Sequence, residues 1–190
     1  GKVATVDASK NSGGLTVNLS GVTATTLAVT GGSGKDVITA NAATIETIDL
    51  GAGDDTLTVA TGGNVTTADT YKGGDGKDTL NITAATNANT LVAGKLNAQF
   101  SGFEVLGLTT VDANIDVSKW GVNELTIAGD VTDTGAGTAF TASGFTTGAT
   151  VTLTANADQT DILNVGIKNA TDAGTPNDTL NIKLAADLTA

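Results

Sequence analysis

The chain contains neither cysteine nor histidine. Without cysteine there are no disulfides and no thiolate metal sites. Without histidine there is no H-E-x-x-H zinc motif and no imidazole to act as base for a nucleophile. No serine has glycine at both flanking positions of a G-x-S-x-G elbow. Gly34-Lys35 and Gly76-Lys77 look like the end of a phosphate loop, but aspartate follows where Ser or Thr is required. Aromatics are 3% of the residues and there is one proline. The scarcity of aromatic platforms argues against a glycosidase, although carboxylates are plentiful. The chain is therefore expected not to be an enzyme. Basic residues number 9 against 20 acidic ones, a net charge of −11. That excludes the basic surface nucleic acid needs and disfavours an anionic bilayer, but suits a protein that binds cations. No apolar run reaches the roughly 18 residues of a membrane span. No signal peptide is recognised. Methionine is absent and the chain starts Gly1-Lys2-Val3, which reads as a piece excised from a larger protein. A cysteine-free composition fits an exported bacterial protein that avoids misoxidation.

What is present is glycine placed just before aspartate. GGSGKDVIT (31–39), LGAGDDTLT (50–58) and GGDGKDTLN (73–81) align on Asp36, Asp55 and Asp78. These acids are 19 and 23 residues apart. A lone G-x-G-x-D would be a hairpin loop; three aligned copies point to a repeat. DILNV (161–165) and DTLNI (178–182) keep only the second half of the pattern, with Pro176 where a flexible residue is expected. Between these lie short alternating strands rich in Thr, Val and Ile, including TLAVT (26–30), ETIDL (46–50), TLNIT (79–83), FEVLGL (103–108) and NELTIAG (123–129). One strand every 10 or so residues predicts a solenoid, with a sandwich or barrel as the other way of producing regular strands. The core must be thin and built from Val, Ile, Leu, Ala and Thr. Residues 91–100 are the candidate helix or irregular excursion, and Ser118-Lys119-Trp120 a turn. A soft boundary falls near residue 90, with the glycine-aspartate repeats in 1–90 and degenerate rungs or a sandwich-like segment in 91–190.

Glycine tolerates positive φ and close backbone approach, so alternate glycines make a tight loop with inward carbonyls. Calcium takes six to eight oxygens, from carboxylates and neutral carbonyls alike. One loop cannot complete such a shell; two stacked loops can. Aspartates one coil apart would lie on the same side of a roll, and residues 41–49 would form the opposite half-turn without ligands.

The three motifs resemble the G-G-x-G-x-D-x-U-x nonapeptide of RTX proteins. Residues 30–82, followed by SGFEVLGL, resemble the calcium-binding part of Gram-negative surface-layer proteins, with a looser likeness onward. The resemblance implies a right-handed parallel β-roll or β-helix solenoid with calcium-binding loops, its later rungs degenerate. It implies Ca2+ as the bound ion, with carboxylate ligands Asp36, Asp55 and Asp78 and carbonyl ligands around Gly32–Ser33, Gly51–Ala52 and Gly74–Asp75. It further implies type I secretion, a place in an extracellular surface lattice, self-association as the main partnership, and contact with cell-surface polysaccharide through regions outside this segment. The alternative is a calcium-stabilised binding module of a secreted RTX adhesin, toxin or enzyme tail. Leu50 departs from the motif where glycine is expected. Because leucine must avoid positive φ, the second loop is the one expected to be distorted.

Asp54 is the extra acid expected to help a site, while Asp69 and Asp75 are expected to be solvated. Glu46, Glu104 and Glu124 are expected to be turn caps or solvent-facing ladder residues, with Glu104 and Glu124 at equivalent points of successive rungs. Tyr71 is expected to be structural and Trp120 to cap the end of a thin core.

Overall fold

A computed structural model describes residues 3–41, 45–59, 65–128, 139–154, 162–167 and 179–184. In chain order its strands are β1 (Val3–Asp7), β2 (Thr16–Asn18), β3 (Thr26–Thr30), β4 (Val37–Thr39), β5 (Ile45–Asp49), β6 (Thr56–Val59), β7 (Thr70–Lys72), β8 (Thr79–Ile82), β9 (Phe100–Ser101), β10 (Val105–Leu108), β11 (Ile115–Asp116), β12 (Glu124–Ile127), β13 (Ala139–Phe145), β14 (Ala149–Leu153), β15 (Ile162–Ile167) and β16 (Leu180–Leu184). Every pairing among them is parallel, and odd strands pair with odd, even with even. The chain is a β-solenoid of about six turns. One wall is the eight-stranded sheet β2-β4-β6-β8-β10-β12-β14-β16. The facing wall is β1-β3-β5-β7-β9 along the first coils and β11-β13-β15 along the later ones.

The pattern that dictates this is period-2 alternation. In β4, β6 and β8 the central leucine or isoleucine is buried while the flanking threonines are half-exposed. Residues two apart share a face of a strand, so in-register stacking puts Ile38 on Leu57, Leu57 on Leu80 and Leu80 on Leu106. The rank continues through Leu125 to Val151. Each such side chain contributes about 1.5–3 kcal/mol on full burial. A thin aliphatic core thus holds the walls together with few aromatic residues. Threonine on the outer positions serves strand propensity without adding apolar surface.

The excursion predicted over 91–100 is present but begins earlier: helix α1 spans Ala85–Ala93 and a 3-10 helix follows at Leu96–Gln99. The insertion does not interrupt the wall, because β8 and β10 pair directly across it. Ser118-Lys119 lie in a second 3-10 turn, Val117–Lys119, with Trp120 at its end. Where the glycine loops stop, rings take over: Phe100 stacks on Tyr71 at 4.8 Å and meets Trp120 at 5.7 Å. Pro176 and the acids Asp161 and Asp178 of the two degenerate copies lie outside the described residues.

Candidate metal centre

The register places the three aspartates one coil apart in a column. Asp36, Asp55 and Asp78 each precede a strand of the eight-stranded wall, and Val37 pairs with Thr56, Thr56 with Thr79. Each acid stands two residues before an inward leucine or isoleucine, so the strand period turns the carboxylate inward as well. All three are buried, at 0%, 1% and 0% exposure. Their side chains form a ladder in which one oxygen accepts the backbone N–H one coil earlier in the chain. Leu15 N donates to Asp36 Oδ1 (2.6 Å), Asp36 N to Asp55 Oδ1 (2.7 Å), and Asp55 N to Asp78 Oδ1 (2.9 Å). The ladder has a further rung: Asp78 N donates to Glu104 Oε2 at 2.8 Å.

The second oxygens differ along the column. Asp36 Oδ2 accepts from Gly32 N at 3.0 Å, closing the first loop on its own carboxylate. Asp55 Oδ2 and Asp78 Oδ2 are buried without any hydrogen-bond partner. Burial raises the Asp78 carboxyl to about 6 and pushes Asp55 up as well, with neighbouring carboxylates adding to both effects. A buried carboxylate oxygen with no donor is costly, and a bound cation or proton offsets that cost.

Loop backbones follow the same division. Gly51, Gly53, Gly74 and Gly76 all have positive φ, from 95° to 136°, whereas Gly32 and Gly34 do not. The second and third loops therefore share one conformation and the first departs. This reverses the expectation drawn from Leu50. Leucine is accommodated because its own φ is not positive and its side chain is buried in the core. The loops stack through backbone bonds: Ala52 N donates to Gly32 O, Asp75 N to Gly51 O, both at 2.9 Å, and Gly53 N to Asp75 O at 2.8 Å. Ser33 N donates to Asn11 O of the coil before. Of the extra acids, Asp75 and Asp54 are exposed, and Asp54 Oδ1 accepts from Lys77 N at 3.0 Å. Among the described residues no three acidic side chains converge on one point. Any ion here would be held by one or two carboxylates plus backbone carbonyls, a donor set of oxygen alone that suits calcium.

Two sequence expectations are corrected. Glu104 and Glu124 are not equivalent: Val105 pairs with Glu124, so Glu104 is one position ahead and occupies the aspartate column. The signal was available, since Glu104-Val105-Leu106 repeats the acid-x-leucine spacing of Asp78-Thr79-Leu80. Asp69 and Glu46 are not solvated but fully buried. They form a second acid ladder on the opposite wall, which the sequence reading missed for the same reason: Glu46 precedes buried Ile48 by two, and Asp69 precedes buried Tyr71 by two.

In this second ladder every carboxylate oxygen has a partner. Glu46 Oε1 accepts from Asn41 N (2.6 Å) and Oε2 from the Tyr71 hydroxyl (2.8 Å). Asp69 Oδ1 accepts from Glu46 N, and Oδ2 from Thr66 N and its hydroxyl. Burial, followed in a smaller measure by the charge of Asp69, holds the Glu46 carboxyl above its ordinary 4.5, while its hydrogen bonds act the other way. A raised carboxyl means that folding favours the protonated form. Its contribution is most favourable below the unfolded-state pKa and is lost as pH rises through the folded one. Glu46→Gln keeps the acceptor for Asn41 N and removes the charge. Its stability relative to wild type should therefore rise between pH 4 and pH 7, measured by denaturant melts in chelator. An offset that stays constant with pH would refute this account.

No protein-family model matches the chain, and no curated protein or solved structure is similar to it.

Proposed function

We propose that this chain is a structural segment of a calcium-dependent bacterial surface layer, with calcium bound between stacked glycine-aspartate loops. The observation that carries the calcium reading is the pair of orphaned, buried oxygens, Asp55 Oδ2 and Asp78 Oδ2, set among positive-φ glycines whose carbonyls lie within the stack. Asp55 and Asp78 would hold the ions, with carbonyls of residues 51–53 and 74–76 completing the shells. The ion supplies the positive charge that the acid column lacks. Asp36 serves as the upper cap of the column rather than as a ligand, because Gly32 N already engages its inner oxygen.

The lattice role is supported by the form of the solenoid. Among the described residues, β1 and β2 end their sheets without a further partner. An open parallel edge is a natural surface for end-to-end addition. Self-repulsion at −11 keeps copies apart until cations arrive. Extracellular modules bind calcium at about 10⁻⁴–10⁻³ M, so the chain would stay loose in a calcium-poor cytosol, pass a secretion channel and wind up outside. The competing reading, a rigid spacer in a secreted adhesin, toxin or enzyme tail, shares the ion and differs in assembly.

Titrating calcium into chelated full-length protein should raise the strand signal in circular dichroism first and light scattering second. Electron microscopy of the product should show ordered sheets. Magnesium at equal concentration should do neither, because it demands a rigid octahedron and keeps its water. Dispersed rods with calcium would favour the spacer. Full folding in chelator, or an equal response to magnesium, would overturn the calcium switch.

A further inference from the structure

We infer that the third loop carries an ion seat completed from outside the repeats, by Glu104 and the Gly102 carbonyl. This rests on the calcium reading above and adds a site that the repeat pattern does not contain. That pattern would put the two ions between loops 31–36 and 50–55 and between 50–55 and 73–78. The structure points one coil further along. In the first loop, Asp36 Oδ2 is tied to Gly32 N, so the upper seat lacks a free carboxylate oxygen from its own loop. In the third loop, Asp78 Oδ2 is free although Asp78 is fully buried.

The space beside that oxygen is bounded by Gly73 and the next turn. A Cβ on Gly73 would lie 2.7 Å from Asp78 Oδ2 and 1.8 Å from the Gly102 carbonyl oxygen. Only a glycine keeps this gap clear. In the second loop the same position is held by Leu50, which carries a buried side chain. Across the gap stands Glu104, in the aspartate column by register. It already reaches Asp78 N through Oε2, which fixes its carboxylate beside the seat. Ser101–Glu104 contains no G-x-G-x-D motif, yet it presents a carbonyl and a carboxylate where a fourth loop would. The seat gathers two carboxylates and a carbonyl, a hard oxygen set for a divalent cation of calcium's size.

Calorimetric titration of calcium into the full chain should give two ions for the wild type. Glu104→Gln keeps an acceptor for Asp78 N and should weaken one of the two by about tenfold or more, leaving the other unchanged. Glu104→Lys should abolish that site. Glu104 is exposed, so both variants should keep the wild-type strand signal with calcium present. If both variants bind as many ions as the wild type with unaltered affinities, the lower seat is refuted while calcium binding stands. If the wild type binds no calcium, the calcium reading falls and the seat with it.

Discussion

Adding calcium to chelated wild-type protein should raise its melting temperature by about 10–20 °C. Each independent site occupied at about 100 times its dissociation constant adds about 2.7 kcal/mol. Two sites add about 5 kcal/mol, and a chain of this length gains about 2–4 °C per kcal/mol. The informative variant is Asp55→Asn. Its amide oxygen keeps the acceptor for Asp36 N, while its NH2 replaces the orphaned Oδ2. In chelator the variant should be at least as stable as wild type, because an uncompensated buried charge has been removed. In calcium it should be less stable, with about half the calcium gain lost. That crossing of signs separates an ion ligand from a purely structural carboxylate, which would lose stability equally in both buffers. Asp36→Asn supplies the contrast. Its oxygens accept from Leu15 N and Gly32 N, so an NH2 there opposes a backbone donor with or without calcium. A calcium gain that is absent in the wild type, or untouched in Asp55→Asn, would sink the assignment.

Gly74→Ala should destabilise the protein by about 3–5 kcal/mol even in chelator. Gly74 has φ +117°, and a Cβ there would lie 1.9 Å from the Gly51 carbonyl oxygen. That carbonyl accepts Asp75 N, one of the bonds that stack the second and third loops. An alanine pays for the unfavourable backbone, about 1–3 kcal/mol, and must also push the two loops apart. Breaking a buried hydrogen bond adds about 1–3 kcal/mol. With the loops separated, the calcium response should largely disappear too. Gly121→Ala isolates the backbone cost, because Gly121 has φ +70° with nothing within 4 Å of the added carbon. It should lose about 1–2 kcal/mol and retain the full calcium response. Denaturant melts of both variants, with and without calcium, test this. Equal losses in the two would show that inter-loop packing at Gly74 is unimportant.

Period-2 alternation and the recurrence of Gly-x-Gly-x-Asp determined by themselves that the chain is a parallel solenoid with aspartates stacked coil on coil. Both are local: a strand's inward face is written in every second residue, and a repeat of 19 to 23 residues returns the chain to the same side. The spacing of acid two residues before a large apolar side chain also determined burial at Glu46, Asp69 and Glu104's place in the column, although composition alone suggested solvation. Only the tertiary structure decided which oxygens are free. Asp36, Asp55 and Asp78 are indistinguishable in their motifs, yet Asp36 spends its second oxygen on Gly32 while the other two spend none. That difference follows from what each loop rests against. The first loop stacks on residues 11–14, which carry no aspartate, and adopts its own backbone. The third rests on a turn that happens to offer Gly102 and Glu104. A motif specifies the donors it contains; the neighbouring coil specifies which of them remain unpaired.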